Sequence, residues 1–195
     1  MPDHPDSDAP GVRVSAQRPV PDYASYAQAL AAWRTPEDVN DWIGARFEYD
    51  RGRALALSES QLARGPAPAI YPPGAFYDRP VGVCVDLARF AVDALTQVAP
   101  ELKPRYLMIE FDPARIRGQT LRRHWVVVYE QADGIHVFAD SKRPGVVAGP
   151  YPTIAAFIDD YASYRKRSIV AFRELDDFGR RVRVQRAQTR SSQTP

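Results

Sequence analysis

The chain has 195 residues, of which 45% are hydrophobic and 11% aromatic, and its formal net charge is +2. This length predicts one folded domain that buries roughly 70% of its extended-chain surface, and the apolar content excludes wholesale disorder. The single cysteine excludes an intrachain disulfide framework and a cysteine-rich zinc site. The net charge argues neither for nor against a polyanionic partner.

The two ends of the chain differ in composition from its middle. Residues 1–20 hold aspartates, prolines and little apolar content, which predicts a flexible N-terminal arm without the regions of a signal peptide. Residues 177–195 predict a basic C-terminal tail, whose arginines are not interleaved with aromatic residues from position 180 onward, so nucleic acid is not favoured as a partner. No apolar run is long enough to span a membrane. These features lead us to expect a cytoplasmic protein, with specialised export left open.

The first half of the predicted domain, which covers residues 21–176, is mainly helical in pattern. A short helix is predicted at 23–33, and a second begins after Thr35-Pro36-Glu37-Asp38 because threonine caps helices, proline suits the first turn and acids favour the positive helix end. A third helix is predicted at 54–64. Five prolines between 66 and 80 then predict a loop.

The second half begins with the strongest helical pattern and continues mainly with strands. Residues 84–98 carry apolar side chains at helical spacing. The later predicted elements are strands at 105–111, 124–130 and 135–140, a helix at 153–164 and a strand at 168–174. Helices followed by strands favour an α+β fold, in which an antiparallel sheet packs on the helix that begins at Cys84.

Cys84 lies where the proline-rich loop becomes this helix. The positive end of the helix dipole and free backbone N–H groups there favour the thiolate, which is the reactive form of cysteine. The N–H of Cys84 could also hold a developing oxyanion, and Tyr77 is a candidate second donor. The alternative is structural, because a lone cysteine is commonly a small buried hydrophobe.

His124 and Asp140 lie on two strands joined by a turn that contains Ala-Asp-Gly. A three-residue loop at 132–134, a type I turn followed by a left-handed glycine, would place Gln131 opposite Ile135. His124 and Asp140 would then share one face as diagonal neighbours, whereas a two-residue loop would place them on opposite faces. We therefore predict the three-residue loop.

The same register has consequences for neighbouring side chains. Val126, Val128 and Phe138 would share the face of His124 and pack on the Cys84 helix. The other histidines, His4 in the arm and His136 beside the turn, make no ligand set with an acid or with Cys84, so no metal site and no cofactor are expected. Asp86 is expected to stabilise the start of the Cys84 helix.

These residues suggest a nucleophilic mechanism. Cys84 would attack a carbonyl as a thiolate, and His124 would take the thiol proton and later donate it to the leaving group. Asp140 would hold the imidazole in the required tautomer and stabilise its charged form.

Four stretches resemble the transglutaminase-like superfamily of papain-like thiol enzymes. They are DWIGARFEYD (41–50), GVCVDLA (82–88), HWVVVY (124–129) and the strand that ends at Asp140. The resemblance implies a papain-like core, a triad of Cys84, His124 and Asp140, and hydrolysis or transfer of amides in protein or peptide substrates. The closing FADSKRPG and the proline-rich insert depart from the family pattern and leave the substrate class open.

The resemblance supports more than one function. The first is a transglutaminase-like cysteine peptidase or amidase of bacterial type, and the second is an acyl transferase to amines through the same thioester. A catalytically silent interaction module of the same fold is a third alternative, but it would be expected to lack a triad residue.

Overall fold

The computed structural model describes residues 8–11, 18–58, 68–116 and 118–177. The predicted basic tail therefore lies, apart from Asp177, outside the described residues, as do 59–67, which include the second half of the predicted third helix. No helix among the described residues is long and apolar enough to cross a membrane.

The described residues contain six α-helices, mostly before the main sheet. They are α1 (Tyr26–Ala32), α2 (Pro36–Arg46), α3 (Arg51–Ala56), α4 (Pro73–Asp78), α5 (Cys84–Val98) and α6 (Ile154–Arg165). A 3-10 turn at Pro100–Leu102 follows α5. The predicted start of α2 is confirmed, because Thr35 and Asp38 form a reciprocal capping box with Pro36 at the first helical position.

The strands in the described part of the chain form two sheets. They are β1 (Glu48–Tyr49), β2 (Val81–Gly82), β3 (Arg105–Ile116), β4 (Gln119–Gln131), β5 (Gly134–Phe138), β6 (Ala148–Tyr151) and β7 (Ile169–Leu175). β1 and β2 pair in parallel, and the other five form an antiparallel sheet in the order β6-β5-β4-β3-β7. The α+β prediction is therefore confirmed at the level of fold class.

Helices cover both faces of the five-stranded sheet, and this corrects one prediction. Trp125, Val127 and Tyr129 belong to the core shared with α5, whereas Val126 and Val128 pack with α6. The predicted packing of Val126 and Val128 on the Cys84 helix is thus wrong, although Phe138 does lie in that core. The apolar character of both faces of β4 reflects this double coverage.

Two predicted elements in the helical half also differ. The third helix begins earlier than expected, at Arg51, because the Asp50 side chain accepts a hydrogen bond from the Arg53 N–H at 2.9 Å and caps it there. The proline-rich segment contains α4, which the prolines were expected to prevent. Pro72 and Pro73 occupy the cap and first helical positions, where a missing N–H costs no intrahelical bond.

The hairpin register also corrects the prediction. Gln131 pairs with Gly134 rather than with Ile135, so the connection has two residues, 132 and 133. In an unbroken strand this register would direct Asp140 away from His124. β5, however, ends at Phe138, and Ala139 adopts the left-handed conformation at φ 56°. This residue breaks the alternation and returns Asp140 to the face of His124.

The left-handed conformation of Ala139 predicts how substitutions at this position change stability. A left-handed backbone costs a non-glycine residue about 1–2 kcal/mol, and a β-branched side chain is still less compatible with it. We expect Ala139→Val to lower the free energy of urea unfolding by about 2 kcal/mol, and Ala139→Gly to change it by less than about 1 kcal/mol because relief of strain offsets the lost methyl group. Equal losses in both variants would contradict this account of the strand break.

Candidate active site

The position of Cys84 is set by the short parallel pair that precedes α5. The Asp50 N–H donates to the Gly82 carbonyl at 2.8 Å, which fixes the backbone two residues before the cysteine. A Cβ at Gly82 would lie 3.0 Å from Asp86 Oδ2 and 3.1 Å from a ring carbon of Phe76. Glycine is therefore required by close approach, and Cys84 becomes the first residue of α5, only 7% exposed.

Asp86 has the structural role that the sequence predicts, and a wider one. Its carboxylate is fully buried and accepts hydrogen bonds from the N–H groups of Val83 at 3.1 Å and Tyr71 at 3.0 Å. It also forms a two-point ion pair with Arg53, whose Nε and Nη2 lie 2.7 and 2.8 Å from its oxygens. Asp86 thus ties α3, the proline-rich segment and the start of α5 together.

Removing the charge of Asp86 tests this role. We expect Asp86→Asn to lower the free energy of unfolding by about 3–5 kcal/mol, because the Arg53 guanidinium stays buried without its counter-charge. The matched control is Asp22→Asn at the exposed Asp22–Arg46 pair, for which we expect a change below about 1 kcal/mol. Urea unfolding measures both. A loss no larger in Asp86→Asn than in the control would contradict the assignment.

The three residues predicted to carry the chemistry lie together. Cys84 Sγ and a ring nitrogen of His124 are within 4.8 Å of each other. His124 Nε2 lies 2.9 Å from Asp140 Oδ1, and both side chains are buried. This arrangement leaves Nδ1 as the His124 nitrogen that Asp140 does not engage.

The carboxylate of Asp140 is itself held in place. The N–H of Lys142 donates to Oδ1 at 2.9 Å, and Arg143 Nε donates to Oδ2 at 3.1 Å. On the other side, the Tyr161 ring of α6 stacks on the His124 ring at a centroid distance of 5.9 Å. The imidazole is therefore oriented by a hydrogen bond at one edge and by ring packing on one face.

Asp8, from the predicted N-terminal arm, enters the same site. Its Oδ2 lies 3.1 Å from His124 Nδ1, at ion-pair distance but without a well-aligned hydrogen bond among the described residues. Its Oδ1 accepts a 2.6 Å hydrogen bond from Arg165 Nη2. Sequence reasoning missed both Asp8 and Arg165. One aspartate in a polar segment carries no periodic signal, and Arg165 looks like an ordinary basic residue at a helix C-terminus.

Tyr77, the candidate second donor to an oxyanion, lies elsewhere in the fold. The Tyr77 hydroxyl donates to the Tyr23 carbonyl at 3.0 Å, and its ring stacks on Trp42 at 4.9 Å, so it belongs to the aromatic core rather than to an oxyanion site. Tyr49, in β1, lies close to the site instead. Burial, together with the charges of Asp8 and Cys84, raises its pKa above the ordinary value of 10.0.

Opposite charges dominate the electrostatics of the site. Burial alone would lower the pKa of His124, but the carboxylates of Asp8 and Asp140 raise it well above 6.5. Burial would raise the pKa of Asp140, but His124, Arg165 and Arg143 lower it from 3.8 to about 2. Against the same effect of burial, His124 and Arg165 hold the pKa of Asp8 well below 3.8. The folded protein therefore favours an imidazolium between two carboxylates.

These shifts predict how stability depends on pH. The lowered pKa of Asp140 gives stability that is fully present above its unfolded pKa of 3.8 and is lost as pH falls through about 2. Asp140→Asn lacks this contribution. The stability difference between wild type and variant, roughly 2 kcal/mol near neutral pH, should shrink below about pH 5.

The same contacts change the pH dependence of stability in the opposite direction at His124. Its raised pKa gives stability that is present below 6.5 and is lost as pH rises through the higher folded value. Urea unfolding of both proteins from acidic to alkaline pH measures the two limbs. A stability difference that stays constant throughout would contradict the charge assignment.

The group also has donor atoms that a cation could use. Asp8, Cys84 and His124 each offer one ligand atom, and these atoms lie within 4.8 Å of one another. Carboxylate, thiolate and imidazole are ligands that Zn²⁺ accepts, and three protein ligands with one open position are typical of catalytic zinc sites. A cation here would compete with Arg165 for Asp8 and with the proton on His124.

Comparisons of the sequence with models of known protein families and with curated proteins find no match. The function is therefore inferred from the chemistry of the site.

Proposed function

We propose that this chain is a thiol hydrolase that cleaves peptide or amide bonds in protein substrates through Cys84, His124 and Asp140. The observation that carries the proposal is the convergence of three groups: a cysteine at the first residue of α5, a ring nitrogen of His124 within 4.8 Å of its sulfur, and the Asp140 carboxylate 2.9 Å from His124 Nε2. The sequence resemblance to transglutaminase-like, papain-like enzymes supports the same reading.

Each group has a role that its surroundings favour. The Cys84 thiolate forms a C–S bond with the substrate carbonyl, and the resulting oxyanion is placed to accept from the Cys84 N–H, which has no acceptor within the first turn of α5. The His124 imidazolium gives its proton to the amine as the C–N bond breaks. Water then attacks the thioester and gives a proton to the now neutral His124. The C–S bond breaks, which returns the Cys84 thiolate and the imidazolium, and the carboxylic acid leaves.

Asp140 acts through His124 rather than on substrate. Its hydrogen bond to Nε2 leaves Nδ1 for proton exchange with the thiol and the leaving group, and its charge stabilises the imidazolium. The chemistry needs Cys84 reduced, which fits a reducing compartment such as the cytoplasm.

Acyl transfer to an amine is the second candidate, and the burial of the site favours it. With residues 8–11 in place, Cys84 is 7% exposed and His124 is fully buried, so a substrate that covers the site in the same way would shield a bound acyl group from water. A thioester shielded in this way lives longer and can meet an amine as the second nucleophile.

A thiol-directed reagent tests the proposal. We expect iodoacetamide to alkylate wild-type Cys84, and His124→Ala to slow this alkylation at neutral pH by at least about tenfold, the lower end of general acid–base effects. Intact-protein mass measures the rate, and Cys84→Ala controls for other sites. His136→Ala is the matched control, because His136 is a buried histidine paired with Asp133 at 2.9 Å instead.

The outcome separates the candidates. Equal alkylation rates in wild type and His124→Ala would exclude activation of the Cys84 thiol by His124. New protein termini after incubation with a cell extract, present with wild type and absent with Cys84→Ala, would indicate a peptidase. New amine conjugates without new termini would indicate acyl transfer.

A further inference from the structure

We propose that Arg165 forms a carboxylate-binding subsite beside Cys84 and His124, and that Asp8 fills it within the same chain, covers His124 Nδ1 and so inhibits the site. This inference rests on the proposed function, since it concerns access to the same thiol. It predicts that substrates present an acidic side chain or a terminal carboxylate to this subsite.

The Asp8 side chain is bound as a ligand would be. One oxygen lies 3.1 Å from His124 Nδ1, at ion-pair distance, and the other accepts from Arg165 Nη2 at 2.6 Å, so each oxygen faces a cationic group. The Asp8 side chain is only 18% exposed, while the two donor side chains are fully buried. A carboxylate held between an imidazolium and a guanidinium is a recognised mode of anion binding.

The backbone around Asp8 is also attached to the domain. The Ser141 hydroxyl donates to the Asp8 carbonyl at 2.9 Å, and the Gly11 N–H donates to the Lys142 carbonyl at 3.1 Å. Ala9 between them is 3% exposed. Residues 8–11 therefore bind along the segment that follows Asp140, where an extended substrate chain could bind in the same way.

Occupation of this place is incompatible with catalysis. A scissile carbonyl carbon must approach the cysteine sulfur to roughly 3–3.5 Å. An Asp8 carboxylate oxygen already lies within 4.8 Å of Cys84 Sγ and next to the His124 nitrogen that must exchange protons with it. The carbonyl and Asp8 cannot share this space, so the 8–11 segment must move before substrate enters.

The chemistry of Arg165 indicates what replaces Asp8. Its guanidinium is buried in the last turn of α6, where Nη1 donates to the Tyr161 hydroxyl at 3.0 Å and the Phe111 ring lies 4.9 Å away. Burying a cation is costly unless an anion faces it. A substrate carboxylate that binds Arg165 alone can restore this ion pair and leave His124 Nδ1 open to the thiol, whereas a neutral side chain cannot.

Alkylation of Cys84 by iodoacetamide in the full chain tests both parts of the proposal. We expect Asp8→Ala, and the isosteric Asp8→Asn, to react at least about tenfold faster than wild type, because a loss of about 1.4 kcal/mol in the affinity of the segment gives that factor. Asp22→Ala, which removes an exposed aspartate elsewhere, should match wild type. Circular dichroism and thermal unfolding establish that each variant is folded.

Addition of a carboxylate in trans tests the subsite itself. Millimolar N-acetyl-aspartate α-amide should slow the alkylation of Asp8→Ala back toward the wild-type rate, and N-acetyl-asparagine α-amide should not. Equal protection by both compounds, or by neither, would overturn the carboxylate subsite.

The remaining outcomes distinguish this inference from the proposed function. If Asp8→Ala and Asp8→Asn react as wild type does, while His124→Ala in the Asp8→Ala background reacts more slowly, the inhibition by Asp8 is wrong and the activated thiol stands. If His124→Ala has no effect in that background, the proposed function fails, and the inference fails with it.

Discussion

The site depends on a buried imidazolium held between two carboxylates. His124 is fully buried, Asp140 approaches one edge at 2.9 Å, and Asp8 approaches the other at 3.1 Å. Arg165 and Arg143 complete the charge balance from the far sides of the two carboxylates. Because an unpaired buried charge costs several kcal/mol, removing any one member leaves its neighbour in an unfavourable environment. The contacts are thus interdependent.

Different elements of the fold supply the members of this group. α5 brings Cys84 on one side of the sheet, β4 provides His124, and the residue after the left-handed Ala139 provides Asp140. α6 covers the opposite face and contributes Arg165 from its last turn. The sheet and its two helical layers therefore act as a frame in which side chains far apart in the sequence meet.

Sequence patterns predict the elements better than the joints between them. The α5 helix is evident from apolar spacing, and β3, β4 and β5 from their β-branched and aromatic content, because these signals are local. The grouping of Cys84, His124 and Asp140 was predicted from their residue types and from the expected order of helix and strands. The predicted hairpin loop is one residue longer than the observed one. Asp140 still reaches His124, because the strand break at Ala139, which the sequence did not predict, compensates for the shift in register. Neither the register nor the strand break is marked by a local sequence pattern from which it could be predicted.

The presence of Asp8 in the site could not have been predicted from local sequence patterns. Asp8 lies in a segment without apolar periodicity, and its contact with Arg165 joins residues that are 157 positions apart in the sequence. Only the assembled fold shows that a buried cation needs this carboxylate. The helix α4 was missed for a different reason, because paired prolines usually signal a loop and begin a helix only when they fall at its first positions.

The protonation state of His124 is the most direct test of the account. Nitrogen-detected NMR of the imidazole, in protein labelled at histidine, reports whether each ring nitrogen carries a proton. The account predicts that both His124 nitrogens are protonated at neutral pH, with the Nε2 proton shifted downfield by its hydrogen bond to Asp140, and that Asp140→Asn weakens this state. A neutral His124 that titrates near the ordinary 6.5 in the folded protein would contradict it.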